Sequence, residues 1–359
     1  MKITIAGGGN IGTQFAVHCA EKGHEVIVYT SKPELYDGHL STVDDEGNVT
    51  HEGDIKLATS DPKAAFSNAE LIIVTLPSNL MSGIANIIYD NTDKDVMIGV
   101  VPGSGGSECA FKKCIERGNT FFGIERVPAI ARLVKKGSCV KSTGYRDELH
   151  VAAIPRAKAE ECAELISGIF DIPCLTIPYY LNLTMTPSNP ILHTTRLRTI
   201  FGDFDGKKTY ESLPLFYEEW DDASSKLLFK CDDEVQSICR AFKDFDLKYV
   251  KSLKVHYESD TIEKMTKKIS SIAAFKGLTT PSVASDNGLL PDLHSRYFTA
   301  DFSYGLTIIR QVARFAGVDT PNIDETYNWY QQFAVEKGEF NYKDFGITDR
   351  ASFVEFYSR

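Results

Sequence analysis

Three residues in the second half of the chain have side chains that could handle protons and anions together: His193, Arg296 and Asp301. Histidine titrates near neutrality, so it can exchange a proton with a carbonyl oxygen during a reduction. His193 sits in Thr186-Pro187-Ser188-Asn189-Pro190-Ile191-Leu192-His193-Thr194-Thr195-Arg196. Pro190 can begin a helix, which sets His193 one turn beyond Asn189 on the same face, with Arg196 in the next turn. Arg296 offers a fork of donors that can grip a carboxylate at two points. Asp301 could hold an imidazole in one tautomer and stabilise its charged form. Each also has a plainer reading. A lone histidine is more often structural, an arginine often sits at the surface, and an aspartate often marks a helix N-terminus.

A second kind of chemistry is written at the other end. Met1-Lys2-Ile3-Thr4-Ile5-Ala6 reads as a buried strand that runs into Gly7-Gly8-Gly9-Asn10-Ile11-Gly12. Phe15, Ala16, Cys19 and Ala20 then repeat at helix spacing, and His24 to Tyr29 read as a second strand. Strand, G-x-G-x-x-G, helix and strand in that order form a dinucleotide-binding fingerprint. Gly7 allows the tight turn, Gly9 lets a pyrophosphate approach the backbone, and Gly12 lets helix and strand pack closely. The helix start, from Asn10 and Ile11, offers free amides to phosphate.

The end of the second strand bears on which cofactor binds. An acidic residue there would bond the ribose 2′-hydroxyl of NAD(H). This chain has Thr30, Ser31 and Lys32 instead, so hydroxyls and a cation favour the 2′-phosphate of NADP(H). NAD(H) bound without the usual acid is the alternative. Leu76 and Pro77, at the end of another strand, are expected to line the cofactor.

These residues need elements to hold them. Apolar runs at 70–77, 96–102, 121–125 and 149–154 alternate with helical stretches at 61–69 and 107–117, which specifies a doubly wound, Rossmann-type parallel sheet. The polar stretch 48–56 reads as a hairpin or loop. Beyond about residue 180 helical periodicity dominates, at 218–230, 234–242, 262–272 and 304–316, with Gly317 as a C-cap. The expected fold is therefore α/β: a dinucleotide-binding domain over 1–180, then an all-α substrate-binding domain over 181–359, with the active site in the cleft between them.

Composition limits the alternatives. The net charge of −10 argues against a general nucleic-acid binder and requires a locally basic pocket for any anionic substrate. No run is apolar enough for a membrane span, and Lys2 leads straight into a strand, leaving no room for a signal peptide. The eight cysteines are scattered without C-x-x-C or metal spacing, as expected of free thiols in a reducing cytoplasm. The sequence fixes no oligomeric state, and a homodimer is compatible with it.

Taken together, these segments resemble the opine dehydrogenases of the octopine/nopaline type. The resemblance covers nearly the whole chain. It rests on the glycine fingerprint, the Asn189…His193 segment, and Arg296-Tyr297-x-x-x-Asp301-x-x-x-Gly305-Leu306. It implies that His193 and Asp301 form the catalytic pair and that Arg296 binds the carboxylate of a 2-oxo acid. Asn189 would bond substrate or fix the His193 segment. The implied reaction is a reversible NAD(P)H-dependent joining of a 2-oxo acid to the amino group of an amino acid. No metal is implied. The sequence departs from the family pattern at Thr194 and Ser303, where Pro is common, and at Ala300, where an acid is common. A ketopantoate reductase-like enzyme shares the plan but relies on a Lys that 182–196 lacks. A non-catalytic NAD(P) sensor would keep the glycines without needing His193, Arg296 and Asp301.

Overall fold

Ile3, Ile5 and Ala6 of the first strand are buried together with Thr4. A strand covered on both faces belongs at the centre of a parallel sheet. The computed structural model describes residues 1–334 and 338–359. The strands of the first half are β1 (Lys2–Ala6), β2 (Glu25–Tyr29), β3 (His39–Val43), β4 (Val49–Asp54), β5 (Leu57–Thr59) and β6 (Leu71–Val74). They continue as β7 (Met97–Val100), β8 (Phe121–Ile124), β9 (Ile130–Lys135), β10 (Cys139–Thr143), β11 (Leu149–Ile154) and β12 (Cys174–Thr176). Eight of them form one sheet in the order β12-β11-β8-β7-β6-β1-β2-β5. Every neighbouring pair is parallel except β11 with β8. This is the doubly wound sheet expected, with each expected strand present.

The polar stretch after Asn48 pairs as β4 with β3, across a turn where Gly47 takes φ +87°. With β9 and β10 this hairpin builds a second, four-stranded sheet in the order β4-β3-β10-β9. Its strands expose alternate residues and carry few long apolar runs, so the sequence alone shows little of it. The first helix, Asn10–Glu21, buries Phe15 against Phe170, ring centroids 4.7 Å apart. The expected helix at 107–117 is instead two short ones, Ser107–Ala110 and Lys112–Arg117, meeting at Phe111.

Contacts divide the chain into two units, Met1–Thr184 with Tyr357–Arg359, and Met185–Phe356. The second unit is helical, with Ser188–Ile200, Asp222–Ala241, Ile262–Ser271, Thr307–Ala316 and Pro321–Gln331 as its main helices. The helices expected at 218–230 and 234–242 are one 20-residue helix. Asp221 caps it by accepting the Ser224 amide at 2.8 Å. Asp232, in the middle, does not break it because its carboxylate accepts the Leu253 amide at 2.9 Å. Gly317 ends its helix at φ +69°, as expected. One hairpin, β13 (Ser282–Ser285) with β14 (Gly288–Pro291), interrupts the helical pattern.

Candidate active site

In the first unit, the glycine turn joins β1 to the first helix. Gly7 takes φ +124° and donates to Tyr29 O at 3.0 Å. At Gly12 an added Cβ would collide with Gly7 O, so helix and turn can close only with glycine there. At Gly9 a Cβ would meet nothing within 4 Å, so the backbone faces open space. These observations fit a pyrophosphate at the start of the helix, where the amides of Asn10, Ile11 and Gly12 lack partners within it. The Asn10 side chain is occupied, because its Oδ1 accepts the Leu133 amide at 2.8 Å. Leu76 lies beside Gly7, and Pro77 is exposed one residue on.

At the end of β2 the three expected residues part company. Thr30 is buried and its hydroxyl accepts the Lys32 amide at 3.3 Å, a local turn bond. Ser31 and Lys32 are exposed. The cation therefore faces outward, while the Thr30 hydroxyl accepts from the backbone.

In the second unit, the helix Ser188–Ile200 carries His193, which is 4% exposed. Asp301 comes from 108 residues further along, yet its Oδ2 lies 2.7 Å from His193 Nδ1. The arrangement depends on an unusual backbone. The short helix Arg296–Thr299 leads into a wide, π-type turn over Asp301–Leu306, and the ordinary helix resumes at Thr307. Such turns insert a residue and re-aim side chains, and they recur at functional sites. Gly305 packs on Pro190 so closely that a Cβ would come within 2.8 Å of the proline ring. The glycine thus seats the turn against the start of the His193 helix.

The other imidazole nitrogen is also held. His193 Nε2 lies 2.6 Å from the Tyr217 hydroxyl. Burial, and then the neighbouring Tyr297 hydroxyl, hold the Tyr217 pKa well above its ordinary value, so it keeps its proton. Asp301 as a carboxylate can only accept, so Nδ1 carries the hydrogen and Nε2 accepts from Tyr217. Once the imidazole is charged, Nε2–H can donate back to the Tyr217 oxygen. The Tyr217 ring stacks on Phe275 with centroids 4.1 Å apart. Tyr297 meets the imidazole edge-on at 4.4 Å and stacks on Phe216. Asp301, His193 and Tyr217 form a line of three linked groups in an aromatic surround.

Arg196 explains how Tyr217 arrives there. Its guanidinium is buried and donates to Phe216 O at 2.9 Å, Glu219 O at 2.6 Å and Ser224 Oγ at 3.0 Å. It also pairs with Asp221 at 3.3 Å. The arginine is a bracket that ties the segment around Tyr217 to the His193 helix, one turn beyond His193. Thr194 fits the helix because its hydroxyl donates to Pro190 O at 2.5 Å.

Two expected residues stand at the surface. Arg296 is exposed, and its guanidinium makes no hydrogen bond or ion pair among the described residues. Its fork is free for an anion. Asn189 is exposed as well, unlike the buried His193 one turn on. Tyr217 had no signal in the sequence. It lies in Leu215-Phe216-Tyr217-Glu218-Glu219-Trp220, an aromatic stretch without helical or strand period. Only contact with His193, 24 residues away, gives it meaning.

Comparison with known proteins adds to this geometry. Residues 176–334 match the family model described as NAD/NADP octopine/nopaline dehydrogenase, alpha-helical domain. Residues 2–108 match that of the NAD-dependent glycerol-3-phosphate dehydrogenase N-terminus. Octopine dehydrogenase of Mizuhopecten yessoensis is 25% identical over 92% of this chain and 90% of its own. Tauropine dehydrogenase of Arabella iricolor is 24% identical over 96% of each. A solved structure of octopine dehydrogenase with NADH and L-arginine superposes with a TM-score of 0.86. It covers 99% of this chain and 98% of its own at 22% identity.

Proposed function

Because the chain belongs to the octopine/nopaline dehydrogenase family and is an NAD(P)-dependent oxidoreductase, we propose that it joins the amino group of an amino acid to a 2-oxo acid by reductive condensation. The observation that carries this reading is the buried Asp301–His193 pair, 2.7 Å apart, five residues beyond a free arginine. The amine adds to the oxo acid carbonyl, water leaves, and the resulting imine carbon takes a hydride. The bound nicotinamide supplies that hydride. His193 delivers a proton as the carbonyl oxygen departs and takes one from the attacking amine. Asp301 stabilises the imidazolium between these transfers. Arg296 orients the oxo acid by its carboxylate, so part of the rate comes from positioning. Gly7, Gly9, Gly12 and the helix start hold the pyrophosphate, beside Leu76 and Pro77.

The reading is tested by following NADPH and NADH oxidation with several 2-oxo acids, each with and without a panel of amino acids. Pyruvate and L-arginine, seen in octopine dehydrogenase structures, head the panels. Oxidation should require both partners. Reduction of an oxo acid that is indifferent to any amine would favour the ketopantoate reductase-like alternative.

The exposed Lys32, with no acid at the end of β2, supports a preference for NADP(H). Calorimetry should find NADPH bound more tightly than NADH, and Lys32→Ala should weaken NADPH more than NADH. Tighter binding of NADH to the wild type would refute the preference.

The proton route supplies a further expectation. With Nδ1 held by Asp301, Nε2 is the nitrogen left to exchange protons, and Tyr217 covers it. The Tyr217 hydroxyl would accept the proton of Nε2 and pass on its own. Tyr217→Phe keeps the ring on Phe275 and removes only the hydroxyl. It should lower kcat by about tenfold or more, shift the pH profile of kcat, and leave KM for the oxo acid nearly unchanged. Wild-type kcat with an unchanged pH profile would remove Tyr217 from the route.

A further inference from the structure

The far end of the first helix holds a second cluster of chemically capable side chains. His18 and Glu21, three residues apart, lie on one side of its last turn. His51 reaches them from β4. The close approach is built in: at Gly53, two residues on and on the same face of the strand, an added Cβ would lie 2.8 Å from the Glu21 amide nitrogen. The two imidazoles have centroids 4.3 Å apart, and His51 Nδ1 lies 2.8 Å from Glu21 Oε2. One ligand atom from each of the three residues falls within 4.8 Å of the others.

We propose that His18, Glu21 and His51 bind a late first-row divalent cation of the zinc class, which ties the end of the first helix to β4. Two imidazoles and a carboxylate are a donor set such cations prefer, with water as the fourth ligand. Tetrahedral zinc at about 2.0–2.1 Å from each donor needs donors about 3.4 Å apart. His51 and Glu21 side chains, each about one-third exposed, have the freedom to close that gap. His18 is the fixed ligand. It is 2% exposed, and burial, with His51 and Lys22 adding, holds its pKa down to about 3. It therefore presents a neutral ring at any ordinary pH.

Two further observations favour a cation. The Tyr145 hydroxyl lies 2.9 Å from His18 Nε2, and Ser142 Oγ donates to Tyr145 at 2.9 Å. Outer partners of this kind orient a ligating ring. With Nε2 held by Tyr145 and no hydrogen bond at Nδ1 among the described residues, Nδ1 is the ring nitrogen open to a ligand. The nearby charges are Glu21, Asp171 and Lys22, with Lys22 paired to Asp171 at 2.5 Å. Their sum is one negative charge, at a helix end whose carbonyls also favour a cation. Eight residues, about 12 Å along the axis, separate His18 from the cofactor end of the helix, so this site is distinct from the oxidoreductase chemistry.

The test is titration of the full-length protein with Zn²⁺ against a chromophoric chelator, and with Co²⁺ followed by its visible absorption. One equivalent should bind, with a Co²⁺ spectrum of four-coordinate intensity, and the melting temperature should rise with Zn²⁺. His51→Ala and Glu21→Gln change partly exposed side chains and should still fold. Each should weaken binding by about tenfold or more. Failure of the wild type to bind Zn²⁺, or undiminished binding in a His51→Ala/Glu21→Gln double variant, would overturn the proposal. The second outcome would place the metal elsewhere in the protein.

Discussion

Replacing His193 by alanine should lower turnover by roughly 10²–10⁴-fold while leaving cofactor affinity almost unchanged. Both nitrogens of the imidazole are committed, Nδ1 to Asp301 and Nε2 to Tyr217. Removing it disconnects a carboxylate from a hydroxyl that the ring alone links. Asp301→Asn should also be impaired, because an amide can donate to Nδ1 and force the hydrogen onto Nε2. The two losses should not add, since both residues serve one proton route. Turnover within a few-fold of wild type in His193→Ala would make His193 structural. Full additivity in the double variant would break the link between the two residues.

Arg296→Ala should cost roughly 2–4 kcal/mol in transition-state binding, tens- to hundreds-fold in kcat/KM for the oxo acid. The size follows from a charge-assisted, two-pronged contact that aligns the carbonyl as well as holding the molecule. Arg296→Lys should recover little, because a point charge cannot reproduce the planar fork. The Arg296 side chain is exposed and has no protein partner among the described residues, so the substitution should hardly disturb folding. Cofactor affinity should be unaffected. Near-normal oxo acid kinetics in Arg296→Ala would take the residue out of the site and leave the carboxylate to another cation.

Gly7 and Gly12 announced a tight turn, and the structure gives each a geometry that favours glycine, a φ of +124° at Gly7 and the close approach of Gly7 O at Gly12. Signals of that kind are local: a strand, a turn and a helix start within twelve residues. Thr30 shows the limit. Its place at the strand end was legible, but the direction of its hydroxyl was not, and that hydroxyl turns back to the Lys32 amide. The second sheet was hidden for a related reason. Its strands are short and partly polar, and only their pairing shows them to be strands.

What the sequence determined by itself was the type and order of elements and the residue types with reactive groups. Glycine spacing, apolar runs and helical periodicity are properties of neighbours along the chain, and backbone sterics and burial act on them directly. His193, Arg296 and Asp301 could be singled out, but the link between His193 and Asp301 rested on resemblance. Tertiary structure decided the rest. The wide turn at Asp301–Leu306 aims Asp301 at Nδ1, and Gly305 lets that turn seat on Pro190. Arg196 ties down the segment that brings Tyr217 to Nε2. These contacts join residues 24 and 108 positions apart. Hydrogen-bond geometry is set by where packed elements come to rest, and no periodicity along a single chain encodes that distance.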